Sequence, residues 1–312
     1  MTPVMTDLTQ RAADLPLEEV PCYLCGRIDG EVLVEDPPFI VKLCAGCGLG
    51  YTSPRLRGDR IHELYDDGYF NSERAEDFGY ADYELDLDAY LKTFRRKLNA
   101  LEAHCPKPPS PILEVGCAGG AFLKVMSDRG HEVWGIELAD GMLEAARTRY
   151  GFEHLLHGRF DEVADALPKH RFGMVAMFDV IEHVPDPARE LTIAHQVLAD
   201  DGVLVIQTQD VSSRTRKILG RRWHHFKQLE HIYHFCPDTI RELLSRAGFE
   251  TVLLTRRHAG KYVSCAEIAD RAHRVGRLPR WLCAPIRWMG RTYVYLNPLD
   301  EMLILARKKG MA

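Results

Sequence analysis

Ile112-Leu113-Glu114-Val115-Gly116-Cys117-Ala118-Gly119-Gly120 is the stretch that decides the fold. An apolar run of β-favouring residues ends at Val115, breaks into small residues and resumes as a helical pattern at Ala121-Phe122-Leu123. Strand, tight turn and helix N-terminus in that order bring backbone N–H groups close to a nucleotide-like ligand. The dinucleotide version of such a turn is Gly-x-Gly-x-x-Gly. Counting from Gly116, Ala118 and Ala121 stand where its last two glycines would. The pattern is instead Glu-x-Gly-x-x-x-Gly, and the glycines alone leave the ligand open.

Outward from this turn, strands and helices alternate, which predicts a Rossmann-like α/β fold with a mainly parallel sheet covered on both faces. Strands are predicted at 112–115, 132–136, 153–156, 173–178, 203–208, 249–255 and 301–307, and helices at 120–129, 140–149, 187–198 and 238–246. Gly130, Gly151 and Gly248 stand just past three of these helices, where the chain turns left-handed. Glu137 closes the second strand, 23 residues after Glu114. An acid at that station accepts hydrogen bonds from both hydroxyls of an adenosine ribose. Turn and acid together point to an adenosine-containing cofactor without choosing which one.

Towards the N-terminus, Cys22-x2-Cys25 and Cys44-x2-Cys47 are separated by 18 residues, and Gly26 and Gly48 follow the two pairs. This is zinc-site spacing. Four thiolates fill a tetrahedral Zn²⁺ with no open position, so the site reads as structural. Glu31–Val34 and Phe39–Leu43 read as two strands around Pro37-Pro38, a zinc ribbon whose metal replaces a core too small to build otherwise. Cys105, Cys117, Cys236, Cys265 and Cys283 show no such pairing. The expected organisation is a flexible N-terminus over 1–20, the ribbon over 21–55, a helical linker or lid over 56–110, and the cofactor-binding domain over 111–312 with a helical insertion at 256–295. Within the linker, Leu91, Phe94, Leu98 and Leu101 form a packed helical stripe. Tyr65, Tyr69, Phe70, Phe78, Tyr80, Tyr83 and Tyr90 are denser than packing demands and could line a substrate mouth.

The ordered motifs resemble class I S-adenosylmethionine (SAM) methyltransferases. Glu114–Gly120 is similar to their first motif, Phe172–Pro187 to their fourth-strand segment with Asp179 and Glu182-His183, and Asp201–Ile206 to their fifth strand. Glu230-His231-Ile232-Tyr233-His234-Phe235 resembles the approach to the sixth strand, and Asn297–Arg307 the last strand, which in that family inserts antiparallel between the fifth and sixth. The resemblance implies SAM as cofactor. It places Glu114, Gly116, Cys117, Ala118 and Gly120 around the methionine half, Glu137 on the ribose, Leu138 and Phe160 beside the adenine, and Phe178-Asp179 at the amino-acid end. Ala118 stands for the usual middle glycine, which requires its φ to stay below zero. Arg159 occupies a position where an acid often follows the third strand.

Methyl transfer from a sulfonium is a direct displacement, so the protein must align the acceptor and, for a weak nucleophile, remove its proton. His231, Tyr233 and His183 are the candidate bases. A zinc ribbon joined to this core, with Glu230-His231-Ile232-Tyr233 similar to part of a Glu-His-x-x-Tyr motif, resembles bacterial deoxysugar C-methyltransferases, whose further C-terminal domain is not seen here. The expected function is methyl transfer to a carbon or oxygen of a small molecule: a glycoside, nucleotide-sugar or secondary metabolite. The competing readings are an RNA methyltransferase gripping nucleic acid through the ribbon, and a non-catalytic zinc-ribbon binding protein. A formal charge of −5 and only Arg27 and Lys42 as basic residues within 22–47 disfavour nucleic acid. A metal site among His224, His225, His231 and His234 lacks ligand spacing. No signal-peptide-like or membrane-spanning run is present, and a cytoplasmic location is expected. Arg277, Arg280, Trp281, Arg287, Trp288 and Arg291 alternate basic and aromatic character. They read as a lid with solvated arginines over a Trp-anchored core, or as a surface for an anionic or lipid-linked substrate or a membrane.

Overall fold

The computed structural model describes residues 16–65, 87–105, 110–274 and 278–310. Tyr69, Phe70, Phe78, Tyr80, Tyr83 and Arg277 lie outside the described residues. After a two-residue strand, Leu17–Glu18, that pairs antiparallel with Arg55–Leu56, the chain forms β1 (Gly30–Asp36) and β2 (Phe39–Cys44), an antiparallel hairpin, with β3 (Gly50–Thr52) on the far side of β2. Val34 and Val41 turn inward onto Trp223 and Phe226, residues of the later body of the chain. Next, α1 (Leu87–Leu101) buries Ala89, Thr93, Phe94, Lys97, Leu98 and Leu101, the one-sided stripe expected of a helix laid on a sheet.

The sheet is built from β4 (Ile112–Val115), β5 (Val133–Glu137), β6 (His154–His157), β7 (Phe172–Phe178), β8 (Leu198–Gln209), β10 (Phe249–Thr255) and β13 (Glu301–Lys308). Its order is β10-β13-β8-β7-β4-β5-β6. Every pair from β8 to β6 is parallel, and β13 runs antiparallel between β8 and β10. Helices α2 (Ala121–Ser127), α3 (Asp140–Tyr150), α4 (Pro187–Val197) and α5 (Pro237–Arg246) connect and cover these strands. All four residues of β4 are buried, as a strand covered on both faces requires, and this is why its sequence is apolar except at Glu114. Strand order reverses between β4 and β7, so their C-terminal ends open a crevice where ligands bind in such sheets.

Two elements depart from the sequence reading. Tyr233-His234 forms β9, which joins the ribbon sheet instead of leading directly into β10: the order there is β9-β3-β2-β1. Tyr233 pairs with Tyr51 and His234 with Gly50. The insertion at 256–295 is not wholly helical. It opens with β11 (Lys261–Ser264) and closes with β12 (Tyr293–Leu296), an antiparallel pair that brackets α6 (Cys265–Arg274) and α7 (Arg280–Trp288). Alternating tyrosines and valines at 262–263 and 293–295 favour strand, and pairing across the helices satisfies their backbone groups.

The β9 junction leaves no room at Gly50, where a Cβ would stand 2.7 Å from His234 Cβ and 3.0 Å from its carbonyl oxygen. Gly50→Ala should therefore destabilise the protein by ~1–3 kcal/mol, the usual cost of overpacking. Urea unfolding measures this, and an unchanged midpoint would show that the two strands part at no cost.

Candidate active site

The crevice is organised by Glu137, at the end of β5. Its Oε2 accepts from the Ala118 N–H at 2.9 Å, and its Oε1 from the N–H groups of Leu138 at 2.7 Å and Ala139 at 3.1 Å. Burial raises this carboxyl, and the backbone donors offset only part of that rise. The pull on Ala118 has a conformational consequence: its φ is +43°, on the left-handed side. The expectation of a negative φ is corrected here, because reaching Glu137 takes precedence over the preference of an L side chain. Asp179, at the end of β7, also sits at φ +55°. Of the four non-glycine residues with positive φ among those described, Ala118, His170, Asp179 and Leu299, the first and third line the cavity.

Of the residues expected around the cofactor, Gly116, Ala118, Glu137, Leu138, Phe160, Phe178 and Asp179 line this cavity. Glu114, Cys117 and Gly120 stand behind it. Cys117 Sγ lies under Gly135, where a Cβ would come within 2.7 Å of the sulfur. Glu114 is buried, and burial followed by the Glu137 charge pushes its carboxyl well up. The walls combine apolar Ile136, Leu138 and Phe160 with acidic Glu137, Asp161 and Asp179. An adenine face, ribose hydroxyls and an amino group suit that set, so the residues present fit SAM. Asp161 escaped the sequence reading, which looked for the acid at Arg159. The Arg159 guanidinium holds the Asp161 carboxylate with bonds of 3.0 and 2.8 Å.

Beside the cavity stand His183 and His231. His183 Nδ1 is 2.9 Å from the Glu230 carbonyl oxygen and 2.8 Å from Tyr65 Oη. A carbonyl only accepts, so Nδ1 carries the proton and the Nε2 lone pair is free. His231 repeats the arrangement, donating from Nδ1 to the His225 carbonyl at 2.8 Å. The two rings lie 4.7 Å apart edge to face. Burial lowers both histidines, His231 furthest, so both are neutral at pH 7. Glu182, which accepts from Thr208 Oγ1 at 3.0 Å, brings a carboxylate within 4.8 Å of donor atoms of these two histidines. His183 and Tyr65 line the cavity; His231 stands behind His183.

Tyr233 does not line it. Its hydroxyl accepts from Arg55 Nη1 at 2.9 Å and donates to the Pro185 carbonyl at 3.0 Å, so both of its functions are occupied. Other groups gather at the same sheet edge. Gln207 Nε2 donates to Glu301 Oε2 at 2.9 Å and reaches Asp179 Oδ1 at 3.5 Å. Burial and the nearby Asp179 push the Glu301 carboxyl up to about 7. Lys97 is buried with its ammonium over Phe94 and Phe178, at 5.8 and 5.9 Å from the ring centres. The signal for Lys97 was a lysine inside an apolar helical stripe. Glu301 offered none, because only strand pairing brings it to Gln207.

The four ribbon cysteines converge. Cys22 and Cys47 sulfurs lie 3.4 Å apart, as do those of Cys25 and Cys44, and all four fall within 4.8 Å of one another. Tetrahedral Zn–S bonds of about 2.3 Å imply sulfur separations of this order, so the donors fit zinc. Burial pushes the Cys22 and Cys47 thiols up, whereas at Cys44 the N–H groups of Cys47 and Gly46 and the neighbouring sulfurs of Cys25 and Cys22 outweigh burial and bring the thiol down to about 7. From the same loop, Tyr23 donates to the Asp186 carboxylate at the start of α4, and Arg246 Nη1 donates to the Leu24 carbonyl at 2.7 Å. The ribbon thus abuts the cavity wall at Pro185–Asp186.

Comparison with known proteins adds to this geometry. A family model described as a methyltransferase domain matches residues 84–254. The ubiquinone biosynthesis O-methyltransferase of Leptothrix cholodnii is 27% identical over 165 residues, covering 47% of this chain and 70% of that protein. Its counterpart in Ruegeria pomeroyi is 31% identical over 149 residues, covering 45% and 60%. That of Neisseria meningitidis serogroup C is 30% identical, and the match covers 49% of its length. The chain thus spans only part of these relatives. Among solved structures, the Burkholderia thailandensis 1,6-didemethyltoxoflavin-N1-methyltransferase covers 88% of this chain and 97% of its own, at 16% identity and a TM-score of 0.50. That likeness shows the fold.

Two substitutions separate the roles of the turn residues. Gly120 has φ +77°, and a Cβ there would meet Phe152 at 3.0 Å, so Gly120→Ala should cost ~2 kcal/mol or more. Ala118→Gly should change stability by less than ~1 kcal/mol, since relief of its left-handed backbone offsets the extra freedom of the unfolded chain. Thermal or urea unfolding of both variants checks this contrast.

Proposed function

From the premise that this chain belongs to the methyltransferase domain family and is a SAM-dependent methyltransferase, we propose that it methylates an oxygen of a small molecule with His183 as the general base. The observation that carries this reading is the tautomer of His183. With Nδ1 donating to the Glu230 carbonyl and in reach of Tyr65 Oη, Nε2 is the unprotonated nitrogen of a residue that lines the cavity. The O-methyltransferase relatives favour oxygen over carbon as the acceptor atom. A hydroxyl of a glycoside, nucleotide-sugar or secondary metabolite is a weak nucleophile at neutral pH and benefits from such a base.

When bound, SAM supplies an electrophilic methyl group. The chain's residues do the rest. Glu137 and Asp161 face the cavity as acceptors for polar groups of the nucleoside, with Leu138 and Phe160 as apolar walls. Phe178 and Asp179 border the end where the acceptor would approach, backed by Gln207, Glu301 and Lys97. His183 takes the acceptor proton at Nε2. His231, in edge contact with His183, is a positioning residue or a second proton station. Tyr233 acts in this reading through Pro185, holding the cavity wall rather than moving a proton.

His183→Ala should lower kcat by ~10²–10⁴-fold, with SAM affinity within about twofold of the parent. Because burial lowers the histidine pKa, the active neutral form persists below the ordinary value near 6.5. The acid limb of the parent kcat profile should therefore fall below pH 6.5 and vanish in the variant. An acid limb that survives His183→Ala assigns the proton transfer elsewhere.

We also propose that the four cysteines hold one structural zinc, supported by their convergence and by the closed, fourfold donor set. Metal analysis of the purified protein should return one zinc per chain. Strong chelation, or Cys44→Ser, should lower the melting temperature by several degrees. Protein free of zinc with an unchanged melting temperature would refute the site.

A further inference from the structure

The two tryptophans of α7 are not anchors of a core. Trp281 is 73% exposed and Trp288 87% exposed, and the helix buries only Cys283. The expectation of a Trp-anchored lid is corrected on this point. Leu278, Trp281, Leu282, Pro285, Trp288 and Met289 are all exposed, and they recur at the i, i+3, i+4, i+7 spacing that places them on one face. A contiguous apolar stripe on a solvent-facing helix marks an interaction surface, whereas scattered exposed apolar residues do not.

The charge around the stripe identifies what it meets. From Arg271 to Leu299 the chain carries six arginines and no acidic residue. Arg280, Arg287 and Arg291 are exposed on and just beyond α7, with Arg287 paired to Asp270 of α6. At the foot of the same module, an open hollow is lined by Lys92, Arg95, Arg96 and His258 with Tyr262 and Tyr293, so its charged residues are all basic. Arg95 reaches Asp128 only at 3.7 Å. The module is fixed to the body by the Tyr262 N–H bond to Thr93 Oγ1 at 2.8 Å and by Arg96 stacked 4.0 Å over Tyr295. Apolar stripe, flanking arginines and paired tryptophans together describe a helix lying in a membrane interface plane. Tryptophan rings favour headgroup depth, and anionic lipids attract basic segments at a bilayer surface. A second copy of the stripe would bring the same arginines face to face, a like-charge opposition that disfavours self-pairing through α7.

We infer that α7 seats the protein on an anionic lipid bilayer, its tryptophan stripe entering the headgroup boundary and its arginines meeting lipid phosphates. This surface stands apart from the methyl-transfer cavity, and it holds whether or not the acceptor atom is oxygen.

The test is co-sedimentation of the full chain with vesicles of phosphatidylcholine alone, or with about one third phosphatidylglycerol, near 0.1 M salt where screening is moderate. At least about tenfold more protein should bind the anionic vesicles, with binding falling as salt rises. Trp281→Ser with Trp288→Ser should return binding to background, and Arg280→Gln with Arg287→Gln should lower it several-fold. An unchanged SAM-induced melting shift confirms that these variants fold. In the unaltered protein, lipids bearing a shallow spin label should quench tryptophan emission, a readout that needs no variant. Equal lack of binding to both vesicle types overturns the proposal. So does a concentration-dependent dimer, in the absence of lipid, that the double tryptophan substitution abolishes.

Discussion

One buried carboxylate holds the crevice together. Glu137 collects N–H groups from Ala118 on one side and from Leu138 and Ala139 on the other. A carboxylate removed from water is costly unless donors surround it. Three backbone donors meet that requirement only if the turn after β4 and the start of α3 close on the same point. The left-handed Ala118 follows from this closure, at the crevice that the reversal of strand order opens between β4 and β7. Glu137 also lines the cavity, so the side chain that anchors the turn is part of the cavity wall.

A second coupling joins the ribbon to that crevice. Arg55 bonds Tyr233, Tyr233 bonds the Pro185 carbonyl, and Tyr23 bonds Asp186. Pro185 and Asp186 both border the cavity. The ribbon therefore braces one wall of the site as well as folding around its own cysteines. Glu18, which accepts from Arg55 at 3.0 Å, extends the brace to the first described residues of the chain.

Much of this was legible from residues alone, for definite reasons. Strands buried on both faces are mostly apolar, and Ile112–Val115 and Phe172–Phe178 emerge within a residue of their predicted bounds. The antiparallel last strand lies between β8 and β10 as the family resemblance implied. Local rules failed where partners are distant. Nothing near Tyr233 announces Arg55, Tyr51 or Pro185, so the partners of its hydroxyl could not be read from the sequence. Asp161 was hidden by Arg159, and Glu301 acquires its environment only through Gln207 on a neighbouring strand. Trp281 and Trp288 illustrate another limit. Helical spacing shows which residues share a face, but not whether that face meets protein or solvent.

The pairing of β9 with β3 also governs the order in which the molecule can assemble. Thr52 donates to the His231 carbonyl, 179 positions further along the chain. During synthesis the four cysteines emerge, and can gather a metal, long before the last strand of their sheet exists. Until residue 234 follows, the edge of β3 is unpaired and open to association with other chains. Contacts this remote form late in folding. The ribbon's completion is thus a checkpoint: its sheet closes only after most of the parallel sheet has been made.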